Sequence, residues 1–145
     1  MIGTPLDDKV SVAPQISQSD LSDLQQEGVT TLICNRPDAE VGPEMSSSAM
    51  QAAAHAAGVA FHDVPLAPGM LTVEVIAAHL GAIDEAPGKV LAYCASGTRS
   101  AFLWAFAMAL GNRLSNEEIL DALDRAGYPN PGLGPQLDQV RALGG

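Results

Sequence analysis

A chain of 145 residues, 47% hydrophobic and with its charges scattered singly, has the length and composition of one domain able to bury a core. Its formal charge of −10 and pI ≈ 4.4 would repel a nucleic-acid backbone or an anionic membrane, so neither is expected as a partner. The first residues lack the basic flank and apolar run of a secretory signal, no apolar stretch is long enough to span a bilayer, and a cytoplasmic location is the expectation.

In chain order, Val10 to Ala13 reads as a short edge strand, and Ser19 as the cap of a short helix running to Glu27 and closed by Gly28. Val29 to Cys34 is β-branched and apolar on both faces, as a buried parallel strand is. Asn35-Arg36-Pro37-Asp38 breaks it with a loop. The Ala- and Met-rich run from Pro43 to Ala57 predicts a helix ended by Gly58, and Val59 to Pro65 the next strand. After the loop Ala67-Pro68-Gly69, Thr72 caps a helix through Ala82, and Lys89 to Tyr93 is a third core strand that runs directly into Cys94. Ser100 to Leu110 is apolar nearly all round, which predicts an interior helix with Phe102 and Trp104 in the core. Ser115-Asn116-Glu117-Glu118 is a capping box for a helix ending before Gly127, with its acidic residues on a solvated face, and Gln136 to Leu143 supplies the last helix. Strands alternating with helices predict a single α/β domain over residues 1–145, with a mainly parallel central sheet flanked by helices. In such sheets sites lie off the carboxyl ends of the strands, which puts Asn35-Arg36, Ala67 to Gly69 and Cys94 to Arg99 on one edge.

The informative segment is Cys94-Ala95-Ser96-Gly97-Thr98-Arg99. A cysteine between a buried strand and a helix sits among backbone N–H groups without intrahelical partners. Those donors, the helix dipole and the Arg99 guanidinium favour the thiolate and lower the thiol pKa. Gly97 permits a positive φ, Ser96 and Thr98 offer hydroxyls, and Arg99 supplies a planar fork that holds two oxygens at once. Cys94 is thus the candidate nucleophile. The amides of Ala95, Ser96, Gly97 and Thr98, together with Arg99, form the candidate anion cradle, and Arg36 is a further candidate charge unless it is tied up by Asp38 or Glu40.

The stretch Tyr93-Cys94-Ala95-Ser96-Gly97-Thr98-Arg99-Ser100 resembles the active loop of rhodanese-type sulfurtransferases and that of tyrosine and dual-specificity phosphatases. Gln15-Ile16-Ser17, the turn from Leu32 to Glu40, the strand from Phe61 to Pro65 and the cysteine loop resemble, in order, the phosphatase-like domain of beta-lactamase-hydrolase-like proteins, over roughly Gln15 to Leu110. That resemblance implies a cysteine-phosphatase-like fold and a partnership with persulfide-oxidising enzymes such as persulfide dioxygenases. Ala95 departs from the pattern, standing where such loops often carry a second arginine.

Two chemistries share a cradled thiolate. The tyrosine-phosphatase pattern has five residues between cysteine and arginine, whereas only Ala95 to Thr98 intervene here, which is the rhodanese spacing. Phosphate ester hydrolysis also needs a general acid. The loop Ala67-Pro68-Gly69 offers none, leaving Asp63 or the adjacent His62, whose side chains alternate between the sheet's two faces. Sulfur transfer needs no such acid, so the sequence favours a sulfurtransferase that carries a Cys94 persulfide from a small sulfane-sulfur donor to a thiol acceptor. A cysteine phosphatase acting on a phosphorylated substrate, with Asp63 as acid, and a non-catalytic anion-binding module are the alternatives. Cys34 is read as a core thiol, or else as a resolving partner if its α-carbon lies within about 7 Å of that of Cys94. No cofactor is expected, and His55 has no neighbour at metal-ligand spacing.

Overall fold

The computed structural model describes residues 2–144. The chain builds β1 (Thr4–Pro5), β2 (Val10–Ala13), α1 (Leu21–Gln26), β3 (Val29–Cys34), α2 (Ser47–Ala56), β4 (Ala60–Asp63), α3 (Val73–Glu85), β5 (Lys89–Tyr93), α4 (Thr98–Leu110), α5 (Asn116–Ala126) and α6 (Gly134–Leu143). The five strands form one sheet in the order β1-β2-β5-β3-β4. The β1–β2 pair is antiparallel, whereas the β2–β5, β5–β3 and β3–β4 pairs are parallel. The strand that delivers Cys94 is therefore the central one, hydrogen-bonded on both sides.

Alternation along the strands sorts the apolar residues into two layers. Val10, Val12, Ile33, Val90 and Ala92 face one side and pack with residues of α3, α4, α5 and α6. Leu32, Cys34, Leu91 and Tyr93 face the other and pack with residues of α1 and α2. Helices thus cover both faces of a mostly parallel sheet, as the alternating pattern requires. The near-uniform apolarity of α4 is explained by its place: Ala101, Leu103, Trp104, Ala105, Ala107 and Ala109 are fully buried. Its many alanines allow α3, α5 and α6 to approach, and its larger side chains each contribute about 1.5–3 kcal/mol by leaving water. Trp104 keeps its polar handle satisfied, since its Nε1–H donates to Asp7 Oδ2 at 3.0 Å.

Several element boundaries differ from the sequence reading, each for a local reason. Ser17, not Ser19, heads the first helical segment: a capping box between Ser17 and Asp20 starts a 3₁₀ turn over Gln18–Asp20 that leads into α1. The run from Pro43 is broken into a 3₁₀ turn, Pro43–Met45, because Ser46 accepts from the Ala49 N–H and starts α2 there. β4 is confined to the four residues that pair with β3, and α3 continues to Glu85. Thr72 and Ser115 cap as expected, the latter in a full capping box. The strand β1 was not foreseen; two residues with a proline carry no periodicity. Among the described residues no helix is long and apolar enough to cross a membrane.

Candidate functional site

β5 ends at Tyr93 and α4 begins at Thr98, so Cys94 to Gly97 make the turn between the central strand and the interior helix. The Cys94 N–H continues the ladder to Ala13 O at 3.3 Å, and Ala95 O accepts from Gln15 N–H at 3.3 Å, which anchors the turn to the end of β2. Gly97 is the N-cap of α4 with φ 93°, a left-handed conformation that a side chain would strain. This turn points the Gly97 N–H at Cys94 Sγ, 3.1 Å away. Thr98 N–H turns to Ser96 Oγ at 3.4 Å, and Tyr128 Oη closes the loop from outside by donating to Ser96 O at 3.3 Å.

Burial by itself would raise the Cys94 pKa, but hydrogen bonding from the Ser100 N–H and hydroxyl, and then from the Ser96 and Gly97 N–H groups, outweighs it and the thiol pKa falls below its ordinary value. The side chain is fully buried in this conformation.

Arg99 is held on two sides. Its Nη1 and Nη2 donate to Glu40 Oε2 and Oε1 at 2.9 and 2.8 Å, and Nη1 also donates to Leu66 O at 3.1 Å. The hydrogen bond to Arg99 is the first of the forces that hold the Glu40 carboxyl below its usual range, and Arg36 adds to it. The Arg36 side chain donates from Nε to Glu40 Oε1 at 3.2 Å, from Nη2 to Glu40 O at 3.2 Å and from Nη1 to Gln15 Oε1 at 3.3 Å. Arg36 therefore reaches the site through Glu40 rather than by facing the loop itself. Beyond Arg99 lies an open cleft of about 320 Å³, walled by Glu40, Leu66, Ala67, Pro68, Gly69 and Leu71. A larger groove of about 500 Å³, lined by Asp7, Asp8, Glu118, Asp121, Asp124 and Arg125 among others, contains no nucleophile.

The two carboxyl-end candidates on β4 lie elsewhere. Asp63 stands beside Asp38 and Ser47, and burial, then the Asp38 charge, raises its pKa. His62 Nε2 faces Glu85 Oε2 at 3.8 Å. Cys34 pairs in register with Tyr93 and shares its face of the sheet, one residue out of phase with Cys94. Its thiol donates to Arg36 O at 3.4 Å and burial pushes its pKa up; both cysteines are free. Among the described residues no group of three or more His, Cys, Asp and Glu side chains could hold a metal.

Four side chains have partners at the site that the sequence does not reveal. Glu40 had been weighed only against Arg36. Asn35, Ser100 and His79 form a fully buried polar chain behind the loop: Ser100 Oγ–H donates to Asn35 Oδ1 at 2.8 Å, and Asn35 Nδ2 donates to Val64 O at 2.9 Å and lies 3.3 Å from His79 Nδ1. A lone histidine in the apolar pattern of α3 carries no sequence signal for this.

The family model described as the beta-lactamase hydrolase-like protein, phosphatase-like domain, matches residues 4–111. The beta-lactamase hydrolase-like protein of Xylella fastidiosa (strain Temecula1) is 31% identical over 121 residues, covering 83% of this chain but 28% of that protein, so this chain spans under a third of that curated relative. Among solved structures, a protein of Neisseria meningitidis Z2491, provisionally described as a phosphatase, superposes with a TM-score of 0.81 at 30% identity, covering 97% of this chain and 99% of the other. A DUF442 protein of Shewanella putrefaciens CN-32, with the same provisional description, gives a TM-score of 0.75 at 18% identity, covering 99% and 93%. The fold expected from the sequence, a cysteine-phosphatase-like α/β sheet, is the fold observed.

Proposed function

The chain belongs to the family of phosphatase-like domains of beta-lactamase hydrolase-like proteins, and from that premise we propose that it is a thiolate-dependent transferase whose cargo is sulfane sulfur. The observation that carries this reading is the state of the carboxylate that reaches the site: Glu40 is held ionised by Arg99 and Arg36, and so is a poor proton donor. Sulfur transfer needs no proton donor, because the donor leaves as a stabilised anion. The four-residue spacing from Cys94 to Arg99 supports the same reading, since a shorter turn makes a cradle closer to the size of one added sulfur.

In this mechanism the Cys94 thiolate attacks the outer sulfur of an organic persulfide, R–S–SH. A new S–S bond forms at Cys94, the donor S–S bond breaks, and the donor departs as R–S⁻, leaving Cys94–S–SH. The N–H groups of Gly97, Ser96 and Ser100 then stabilise the ionised persulfide as they do the thiolate. Attack by an acceptor thiolate on the terminal sulfur regenerates the Cys94 thiolate. Arg99, fixed by Glu40 and Leu66 O, orients an anionic group of the donor. A persulfide-oxidising enzyme is the partner class that would consume the product.

The second reading, a cysteine phosphatase passing through a phosphocysteine, is favoured by the 30% identical relative and by the fold shared with phosphatases. There the leaving oxygen needs an acid, and Asp63, with its raised pKa, is the side chain to test. Parallel assays with thiosulfate, glutathione persulfide and an aryl phosphate separate the two readings, with Cys94→Ser as the control. Thiol persulfidation lost in Cys94→Ser, without phosphate release, is the expected result; phosphate release lost in Cys94→Ser, without sulfur transfer, overturns it.

A further inference from the structure

The segment that joins β4 to the cap of α3, Val64-Pro65-Leu66-Ala67-Pro68-Gly69-Met70-Leu71, contains no polar side chain. Connections of this kind run over the surface and are ordinarily polar. Here Met70 is 56% exposed and Leu71 45%, and Val73, at the start of α3, is 37% exposed. Three of the four exposed large apolar side chains among the described residues thus fall within four positions of the chain. The segment is also firmly built. Val64 N–H donates to Cys34 O at 2.8 Å and Leu66 N–H to Asn35 O at 2.9 Å, which ties it to the end of β3. Met70 N–H donates to Ala67 O at 3.0 Å across a tight turn whose central residues are Pro68, with φ fixed by its ring, and Gly69, with φ 75°. Leu66 O accepts from Arg99 Nη1 at 3.1 Å, so the apolar wall is fastened to the arginine of the cysteine loop. The cleft of about 320 Å³ is lined by Leu66, Ala67, Pro68, Gly69 and Leu71 together with Arg99 and Glu40.

We propose that this cleft binds the organic group of the substrate, and that this group is a short apolar body, aliphatic or aryl, joined to a head of no more than one negative charge. For the identity of the head this assignment rests on the sulfane-sulfur reading, and it names the class of R in the donor R–S–SH as alkyl or aryl. Glutathione persulfide, with its polar body, still transfers sulfur but gains nothing from the wall. Charge limits the head. Arg36 and Arg99 share Glu40, and Arg99 also hydrogen-bonds the Cys94 thiolate, so two positive and two negative charges cancel. A single negative charge on the substrate is met by the N–H groups of the loop, whereas a second has no counter-charge in a chain of formal net charge −10. Size limits the body, since a cleft of this volume stands at the small end of the range of ligand sites. An apolar body laid against Leu66, Pro68 and Leu71 removes exposed apolar surface from water without burying any side-chain donor or acceptor of that wall. A stretch without an acid or base supplies no proton chemistry, and its contribution to the reaction is recognition.

Unreactive probes separate recognition from chemistry. Ethane-, butane- and hexanesulfonate carry the same monoanionic head on bodies of increasing length, and their binding to the full chain is followed by NMR at the backbone amides. Dissociation constants should fall about twofold per methylene, roughly 16-fold from ethane- to hexanesulfonate, half the logarithmic gain of a fully buried CH₂, with the largest shifts at Ala67, Gly69 and Leu71. Leu71→Ser, at an exposed position whose change spares the core, should cut that gain by about threefold or more. Leu143→Ser, the same change at the exposed end of α6, should leave it intact. 4-Sulfobutanoate, which adds a second charge to a body of butanesulfonate length, should bind about fivefold more weakly than butanesulfonate. Binding independent of chain length would overturn the proposal and leave the apolar segment to a protein or membrane partner. A gain kept in Leu71→Ser, a gain lost equally in Leu143→Ser, or equal binding of the dianion would also overturn it. Persulfidation of Cys94 without the chain-length gain refutes this inference alone, and the gain without persulfidation refutes the sulfur reading alone.

Discussion

Lowering the pH should destabilise the protein through His79 before its carboxylates are affected. The imidazole is fully buried, and burial lowers its pKa from 6.5 to about 4. A base whose pKa is depressed by folding binds protons more readily when unfolded, so its contribution is complete above the unfolded pKa and is lost as pH falls toward the folded one. Between pH 7.5 and pH 5.0 the two values cost the folded state about 2 kcal/mol, rising to about 3 kcal/mol below pH 4. Glu40 and Asp84, whose arginine partners lower their pKa values, remain ionised through most of that window. Urea unfolding at the two pH values would be compared between the parent and His79→Asn, whose Oδ1 can accept from Asn35 in place of Nδ1 but does not titrate. The parent should lose about 2 kcal/mol more than the variant on acidification. Equal losses in the two proteins would mean that His79 is not the buried neutral base described here.

Gly97→Ala forces a side chain into a left-handed position and drives its Cβ against the Tyr128 hydroxyl, so stability should fall by about 1–3 kcal/mol by denaturant unfolding, and the Cys94 pKa should rise as the Gly97 N–H leaves the sulfur. An unchanged thiol pKa would separate the loop geometry from thiolate stabilisation. Arg99→Lys keeps the charge but cannot make the two-point contact with Glu40, and steady-state kinetics should show KM for an anionic donor raised about tenfold. Trp104→Phe removes the hydrogen bond to Asp7 and leaves a gap in the interior helix, costing about 1–3 kcal/mol in thermal or urea unfolding without altering the Cys94 pKa.

The parts of the molecule legible in the sequence are those in which one residue type has one physical use. Val29 to Cys34 and Lys89 to Tyr93 read as buried parallel strands because both faces are apolar, and both stand where expected in the sheet. The uniformly apolar run after Arg99 could only be an interior helix, and α4 is one. Cys94, Gly97 and Arg99 were visible together because a strand, a small-residue turn and a helix start leave backbone donors converging on one point. What stayed hidden depends on chain-distant partners. Glu40 meets Arg99 across 59 positions, and Ser100 meets Asn35 across 65. The location of Asp63 and His62 was hidden for the same reason: strand alternation tells which side a residue takes, but not that Asp38 and Ser47 wait on one side and Glu85 on the other. Ser46 displaced the predicted start of α2 because a proline–serine pair can either begin a helix or form a turn before one, and the hydroxyl contact to Ala49 decides it.

Intact-protein mass spectrometry after brief exposure to glutathione persulfide, followed by peptide mapping, tests the central claim most directly. One additional sulfur atom on Cys94, absent in Cys94→Ser and transferred to added thiol, is the predicted result. A Cys94 that stays unmodified while the protein releases phosphate from an aryl phosphate would contradict it and make the loop a phosphatase site.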